Sequence, residues 1–238
     1  MGEALGWARG KYPGIDFDIK DVGLDTLRPT LTQFDKLATE YPEVADRMNR
    51  IYSGSPSSDS LSGAYAWASR DGKEIGLGSK WYGNAAKYLD SLRECVETKW
   101  HPTGCDSIES VVTHEFGHHV MNWMVAQKGS LLEYVLPSGF GYVSELPRFW
   151  SDKNIRQRNK ISQYARKSME EFFAEAFAQL EHAPSPSIAA QRLAKIIDAA
   201  RDGGRRIVDH KWQFDAKDPE TRARVAEAAK RLREELEL

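Results

Sequence analysis

The spacing of hydrophobic residues changes along the chain and predicts a different kind of element in each part. Residues 15–19 alternate between apolar and acidic side chains, which is the period of a β-strand. From about residue 25 to 41, leucines and a phenylalanine recur at helical spacing, and Pro42 marks the end of that helix. A second, shorter helix is predicted over residues 44–51, and a polar loop follows at 53–60.

Two short runs around an Asp-Gly turn, Ala64–Ser69 and Glu74–Gly78, predict a β-hairpin. Gly76 and Gly78 leave few side chains on one face of the second run, which suits an edge strand that another backbone approaches closely. Such a strand can bind an extended peptide through main-chain hydrogen bonds. A plain edge strand weakened by its glycines has the same pattern, so both interpretations stay open.

Helical spacing dominates the rest of the chain. It predicts helices over residues 84–98, 107–125, 168–180 and 187–200, and a last one from about residue 218. Glycines and prolines between the second and third of these helices predict loops that could form a cleft wall. The expected fold class is therefore α+β, with a small mixed or antiparallel sheet and a helical C-terminus.

Length and composition fit a soluble protein with one large domain, or one domain and an appended piece. The chain has 238 residues, of which 41% are hydrophobic and 29% charged, and its net charge is −2. This balance gives no reason to expect nucleic acid or an anionic membrane as a partner. No run is long and apolar enough for a membrane span, and no signal-peptide core is present, so we expect a protein that is cytoplasmic as synthesised. The oligomeric state stays open.

Cys95 and Cys105 are the two cysteines of the chain. Two free thiols in a reducing compartment are the favoured interpretation, because the cysteines can form a disulfide only if the loop between them folds back on itself. A zinc site that combines them with His101 is an alternative, but it lacks a fourth ligand at recognisable spacing.

The stretch with the clearest chemistry is His114-Glu115-Phe116-Gly117-His118. Histidines four positions apart on a helix share one face and can both reach one zinc ion, and the glutamate between them can act as general base. Asp106 and Ser107 can cap the start of this helix, and Glu109 stands at capping-box spacing from Asp106. The alternative is an ordinary core helix with two hydrogen-bonded histidines.

A hydrolytic zinc site needs a third protein ligand. The candidates in the sequence are Glu170, Glu171, Glu175, His119, His101, His182 and His210. His119 follows His118 directly, so it points about 100° around the helix, away from the metal face. Met124 stands where a three-histidine motif would place its last histidine. The best source is the helix at 168–180, whose carboxylates lie among apolar residues and need a partner there.

The run from Tyr164 to Phe177 contains Glu-Glu-Phe-Phe-Ala-Glu-Ala-Phe and follows the motif His114–His118. Together the two stretches resemble the protease domain of anthrax lethal factor and related bacterial and phage zincins. The resemblance covers about residues 107–125 and 164–180. It implies a zincin-like metalloprotease fold with one catalytic zinc ion, an edge strand over the cleft, and a glutamate-bearing helix beside the zinc helix.

The resemblance also implies roles for individual residues. Glu171 would be the third ligand beside His114 and His118, and Tyr164 would stabilise the transition state. Glu175 would accept a hydrogen bond from one of the two histidines and so orient it toward the metal. Two alternatives remain. Ser168 can cap this helix with Glu171 merely closing a capping box, and Tyr164 can be an ordinary core phenol.

The predicted function is a zinc metalloendopeptidase in which Glu115 activates a water molecule for attack on a peptide bond. The substrate is expected to be a protein or peptide, and a bacterial toxin or a phage-encoded processing enzyme would fit. The rival prediction is a catalytically silent zincin scaffold used for binding. Residues 1–183 are expected to form the catalytic domain, and 184–238 a helical extension on it. The residues predicted to bind substrate are Ile75, Gly76, Leu77 and Gly78.

Overall fold

A computed structural model of the chain describes residues 1–56, 63–126, 161–194, 197–198 and 201. In this part of the chain, the helices and strands are α1 (Gly2–Lys11), β1 (Asp16–Asp18), α2 (Leu24–Glu40), α3 (Pro42–Ala45), β2 (Arg50–Gly54), β3 (Ala66–Ala68), β4 (Glu74–Gly78), α4 (Ser79–Tyr82), α5 (Ala85–Glu97), α6 (Ile108–Ala126), a 3-10 turn (Tyr164–Arg166) and α7 (Met169–His182). Residues 188–194 are helical as well. The fold is mixed α+β and mostly helical, as expected, with a small open sheet.

The four strands lie in the order β1-β2-β4-β3. β1 pairs with β2 and β2 with β4 in parallel, whereas β3 pairs with β4 antiparallel, as the predicted hairpin requires. The prediction that 74–78 is an edge strand is wrong, because β4 is hydrogen-bonded on both sides. A peptide therefore cannot add to β4, and on this side of the described sheet the edge strand is β3.

The glycines of β4 do mark a close approach, but its partner is the neighbouring strand. A Cβ atom on Gly76 would lie 2.0 Å from the indole ring of Trp67, and one on Gly78 would lie 2.6 Å from the carbonyl oxygen of Ala64. Trp67 lies across Gly76 and donates a hydrogen bond of 2.9 Å from Nε1 to the Tyr52 hydroxyl. The missing side chains thus make room for β3, not for a substrate.

Replacing Gly76 with alanine is expected to lower the free energy of unfolding by about 1–3 kcal/mol, because the new methyl group overlaps the Trp67 ring. Gly54 in β2 is the matched control, since a Cβ there meets nothing within 4 Å. Gly54→Ala should change stability by less than about 0.5 kcal/mol. Urea unfolding of both variants measures the difference. Equal losses for the two variants would contradict the packing described for Trp67.

Helix α6 runs through the middle of the hydrophobic core and packs against α2, α7 and β3. Gly117 permits the close crossing of α6 and α7, because a Cβ there would lie 3.1 Å from the Cα of Ala174 and 3.2 Å from Phe177. On the other side of α6, Phe116 contacts the rings of Phe34 and Tyr41. The first motif is therefore held rigidly between two helices.

The fold departs from the predicted elements at two places near the N-terminus. The predicted helix over residues 44–51 ends at Ala45, and residues 50–54 form β2. Ile51 lies opposite Phe17 on one side and Ile75 on the other, so pairing with distant strands overrides the local helical spacing. Helix α1 was not predicted.

The C-terminal region is described only in its first part. Its buried residues belong to the same hydrophobic core as the sheet: Ala189, Ala190, Leu193 and Ile197. Arg201 forms an ion pair of 2.8 Å with Glu43 of α3. The helix expected from residue 218 and the loops expected after Gly129 lie outside the described residues, and the boundary between 183 and 184 stays a prediction. No described helix is long and apolar enough to cross a membrane.

Candidate metal centre

Helix α6 begins with a reciprocal cap between two serines. The Ser107 side chain accepts a hydrogen bond of 3.1 Å from the backbone N–H of Ser110, and the Ser107 N–H donates to the Ser110 hydroxyl at 3.4 Å. The predicted use of Ser107 as a cap is thus correct, but Ser110 closes the capping box in place of Asp106 and Glu109. The cap fixes the start of α6 about two turns before His114.

His114 and His118 lie on one face of α6, with ring centroids 5.0 Å apart. Helix α7 brings Glu171 to the same face. Its Oε2 lies 3.1 Å from Nε2 of His114 and 3.5 Å from Nε2 of His118. The backbone N–H of Glu171 meanwhile donates to the Ser168 hydroxyl at 3.1 Å, which caps α7. The cap and the contact with the histidines therefore coexist, because they use different atoms of Glu171.

The three donor atoms have the spacing of a zinc site. All of them lie within 4.8 Å of one another. Ligands at about 2.1 Å from a tetrahedral ion are separated by about 3.4 Å, and the two carboxylate–imidazole separations of 3.1 and 3.5 Å bracket this value. Two imidazoles and one carboxylate are a donor set that zinc accepts, with room for a further ligand. The residues present therefore fit the ion that the sequence predicts.

Among the described residues, the His, Cys, Asp and Glu side chains whose possible ligand atoms lie this close together are those of His114, His118 and Glu171. The rival site at Cys95, His101 and Cys105 does not form such a group, and both thiols are free. Glu170 is exposed on α7. His119 is buried away from the cluster, and burial lowers its pKa to about 4. His210 lies outside the described part of the chain.

Glu175 lies directly behind His114. Its Oε1 is 2.9 Å from Nδ1 of His114 and 3.2 Å from Nδ1 of His101, and its Oε2 accepts a hydrogen bond of 2.6 Å from the Ser162 hydroxyl. A carboxylate in this position orients the imidazole and strengthens it as a ligand. The sequence pointed to Glu175, but not to His101 or Ser162 as its partners, because no local spacing links them to either motif.

Opposite charges control the titration of these groups. Burial alone would lower the pKa of His114, but the carboxylates of Glu171 and Glu175 outweigh it and hold that pKa well above its ordinary value. Burial acts to raise the pKa of Glu171, yet hydrogen bonds from His114 and His118 hold it well below its ordinary value. In the same way, His101 and His114 lower the pKa of Glu175 to about 2. Both carboxylates are ionised at neutral pH, and a metal ion that binds here has to displace the proton that they stabilise on His114.

Glu115 and Tyr164 lie beside the cluster. The Glu115 side chain is buried, and this burial raises the pKa of its carboxyl group despite the nearby histidines. The Tyr164 hydroxyl donates a hydrogen bond of 3.2 Å to Oε1 of Glu171, and its ring lies 5.9 Å from the ring of His114. Burial, followed by the negative charge of Glu171, raises the pKa of this phenol, so it keeps its proton at neutral pH.

A cavity of about 360 Å³ opens beside the cluster. Its wall contains His114, Glu115 and Tyr164, and the segment 63–66 that leads into β3. The predicted substrate-binding residues of β4 are not part of this wall. They are buried in the sheet behind it: Ile75, Gly76, Leu77 and Gly78. The structure thus brings together the residues that were predicted to bind metal and to catalyse. It separates them from β4, the strand that was predicted to bind substrate.

Comparisons with known proteins add little to this geometry. No known protein family matches the sequence, and no curated protein matches it either. A search of solved structures finds a protein from Bacteroides caccae ATCC 43185 that is provisionally described as a zinc-binding metallo-peptidase. It is 15% identical, with a TM-score of 0.35 over 98% of this chain and 94% of that chain. A likeness this weak carries no argument, so the function of the protein has to follow from its own residues.

Proposed function

We propose that this protein is a zinc-dependent metallopeptidase that cleaves peptide bonds in proteins or peptides. The observation that carries the proposal is the convergence of His114, His118 and Glu171 beside the buried Glu115. A structural zinc site usually closes its coordination with four protein ligands, whereas a catalytic site leaves a position open. Three ligands next to a cavity favour the catalytic kind.

When bound, Zn²⁺ would supply a Lewis acid that polarises a carbonyl group and acidifies a water molecule. The protein's own groups then move the protons. The Glu115 carboxylate takes a proton from the attacking water, and the acid so formed protonates the leaving amine. Its raised pKa suits both steps, because a base that is too weak would not accept the proton. The Tyr164 hydroxyl donates a hydrogen bond to the oxygen on which negative charge develops.

The substrate backbone is proposed to lie along β3. This strand pairs with β4 on one side, and its start lies in the cavity wall together with His114 and Glu115. An extended peptide that adds to the other side of β3 would pass directly over the cluster. This replaces the predicted addition to β4. A role as a toxin or as a phage processing enzyme stays a prediction from the resemblance alone.

The test combines metal content with hydrolysis. Purified protein should contain about one zinc ion per chain by mass spectrometry, and it should cleave members of a proteome-derived peptide mixture. A zinc chelator should abolish the cleavage, and added zinc should restore it. Stoichiometric zinc without cleavage of any peptide would instead support the rival prediction, a zinc-stabilised scaffold that binds and does not hydrolyse.

Replacing Tyr164 with phenylalanine is expected to lower kcat by about 10- to 100-fold, since it removes one donor to the developing negative charge. KM and zinc content should change little. Tyr12→Phe is the matched control, because Tyr12 also donates to a carboxylate, that of Asp35, but between α1 and α2. If both variants keep the wild-type kcat, Tyr164 is an ordinary packing residue of the cavity wall.

A further inference from the structure

Three lysines lie beside the cavity, each with its ammonium group over an aromatic ring that lines it. Nζ of Lys80 lies 4.8 Å and Nζ of Lys87 lies 5.7 Å from the centroid of the Trp81 ring. Nζ of Lys167 lies 4.9 Å from the ring of Trp100. These three residues come from α4, α5 and the segment before α7, so three separate parts of the chain place a positive charge next to rings of the cavity wall.

The rings beneath these lysines belong to the cavity that contains the candidate metal centre. Trp81, Trp100 and Tyr164 line it together with His114 and Glu115. Lys167 also lies over the ring of Tyr164, with its Nζ 4.5 Å from the centroid of that ring. The lysine rim, defined here as Lys80, Lys87 and Lys167, therefore borders the space into which a substrate must enter to reach the cluster.

The lysine rim has no acidic partner among the described residues. The lysines that form ion pairs in this part of the chain are Lys11, Lys20 and Lys36, all of them elsewhere. On α5, next to the rim, the acid Asp90 pairs with Arg93. Lys80, Lys87 and Lys167 are all exposed. Their charges are therefore available to a ligand, and the rings below hold them beside the cavity.

The inner part of the cavity carries charges of both signs. Glu115 and Glu175 line it together with His101 and His114, and Glu175 is already paired with both histidines. We therefore expect a neutral side chain to enter there, and the negative groups that match the rim to belong to residues on either side of it. The aromatic and small residues of the wall suit an apolar side chain: Tyr65, Trp81, Trp100, Val111 and Ala178.

From these observations we infer that the site takes acidic peptides, in which Asp or Glu residues flank a neutral residue next to the cleaved bond. This inference rests on the proposed peptidase function and names its substrate class. The lysine rim contacts the substrate away from the reacting atoms, so it lowers KM and leaves kcat unchanged. Because the contacts are exposed, they weaken as salt concentration rises.

Binding can be measured without turnover on the full zinc-loaded chain that carries Glu115→Gln. The probes are fluorescein-labelled peptides with one common apolar core, flanked by glutamates, by lysines or by serines. The glutamate peptide should bind at least about tenfold more tightly than the lysine peptide, since each exposed charge pair contributes up to about fivefold and several act together. Raising the salt concentration from about 50 to 500 mM should remove most of that difference.

The decisive variant reverses the lysine rim with Lys80→Glu, Lys87→Glu and Lys167→Glu together. It should lose the preference for the glutamate peptide and favour the lysine peptide instead. The matched control makes the same change in net charge elsewhere, with Arg28→Glu, Arg47→Glu and Lys73→Glu, which are exposed and do not line the cavity. The control should keep the wild-type preference. If the reversed rim does not fold, as judged by circular dichroism, Lys167→Gln alone should still reduce the preference by about two- to threefold.

Each outcome decides the inference. Equal binding of the glutamate and lysine peptides, or equal effects of the rim variant and its control, would overturn it. Tighter binding of a labelled single-stranded DNA than of the glutamate peptide would overturn it as well, since the rim would then recognise phosphates. If the chain with Glu115 intact cleaves no peptide, the proposed function fails, but the binding series still decides whether the rim selects acidic peptides.

Discussion

Replacing Glu115 with glutamine is expected to lower kcat for peptide cleavage by about 10³-fold or more, while zinc content stays at the wild-type value. Glutamine has nearly the shape of glutamate, so it fills the same buried place on α6. It cannot accept a proton from water at neutral pH, and it cannot return one to the leaving amine. The loss should therefore appear in kcat and much less in KM.

The matched control for this variant is Glu109→Gln, one and a half turns earlier on the same helix. It makes the same chemical change outside the cluster, and kcat should stay within about twofold of the wild-type value. Steady-state cleavage of one peptide from the mixture, together with zinc analysis of each sample, provides the comparison. Wild-type turnover by Glu115→Gln would show that another group acts as the base.

Helix α6 was the part of the candidate site that sequence alone predicted best. Its hydrophobic positions, its two histidines and the cap at Ser107 all lie within one continuous stretch, and the structure has this helix at Ile108–Ala126. Local signals suffice for such an element, because helix caps and periodicity act within a few residues. The third member of the cluster, Glu171, lies more than fifty residues later, and periodicity did not single it out. The resemblance to zincins did, and in the structure the carboxylate of Glu171 lies beside both histidines.

The errors arose where contacts between distant residues decide the structure. Ile51 was assigned to a helix because it continues a helical spacing, yet it pairs with two strands that lie far away in sequence. The glycines of β4 correctly indicated a close neighbour, but sequence could not show that Trp67 is that neighbour. His101 reaches Glu175 from a loop on the other side of the site, and no spacing rule predicts such a contact. The sequence likewise contained no sign that Lys80, Lys87 and Lys167 belong together, because only the fold brings them to the same cavity.

Replacing Glu171 with alanine is expected to weaken zinc binding by more than about 100-fold, which is the upper range for losing a residue that merely supports a ligand. Alanine removes the carboxylate that lies within reach of both histidines. The start of α7 should survive, because the cap uses the backbone N–H of residue 171, which alanine retains. The variant should therefore fold and fail specifically in metal binding.

Glu170→Ala separates this effect from a general loss of charge at the start of α7. Glu170 is exposed, whereas Glu171 is half-buried. Removing the Glu170 carboxylate should therefore change zinc affinity by less than about twofold. Competition with a zinc-binding dye gives the affinities, and thermal unfolding with and without zinc gives an independent reading. At zinc concentrations about 100 times the dissociation constant, binding should stabilise the wild-type protein and Glu170→Ala by about 2.7 kcal/mol, and Glu171→Ala far less. Equal losses for both variants would mean that the carboxylate of Glu171 is not a ligand, and Glu175 would become the next residue to replace.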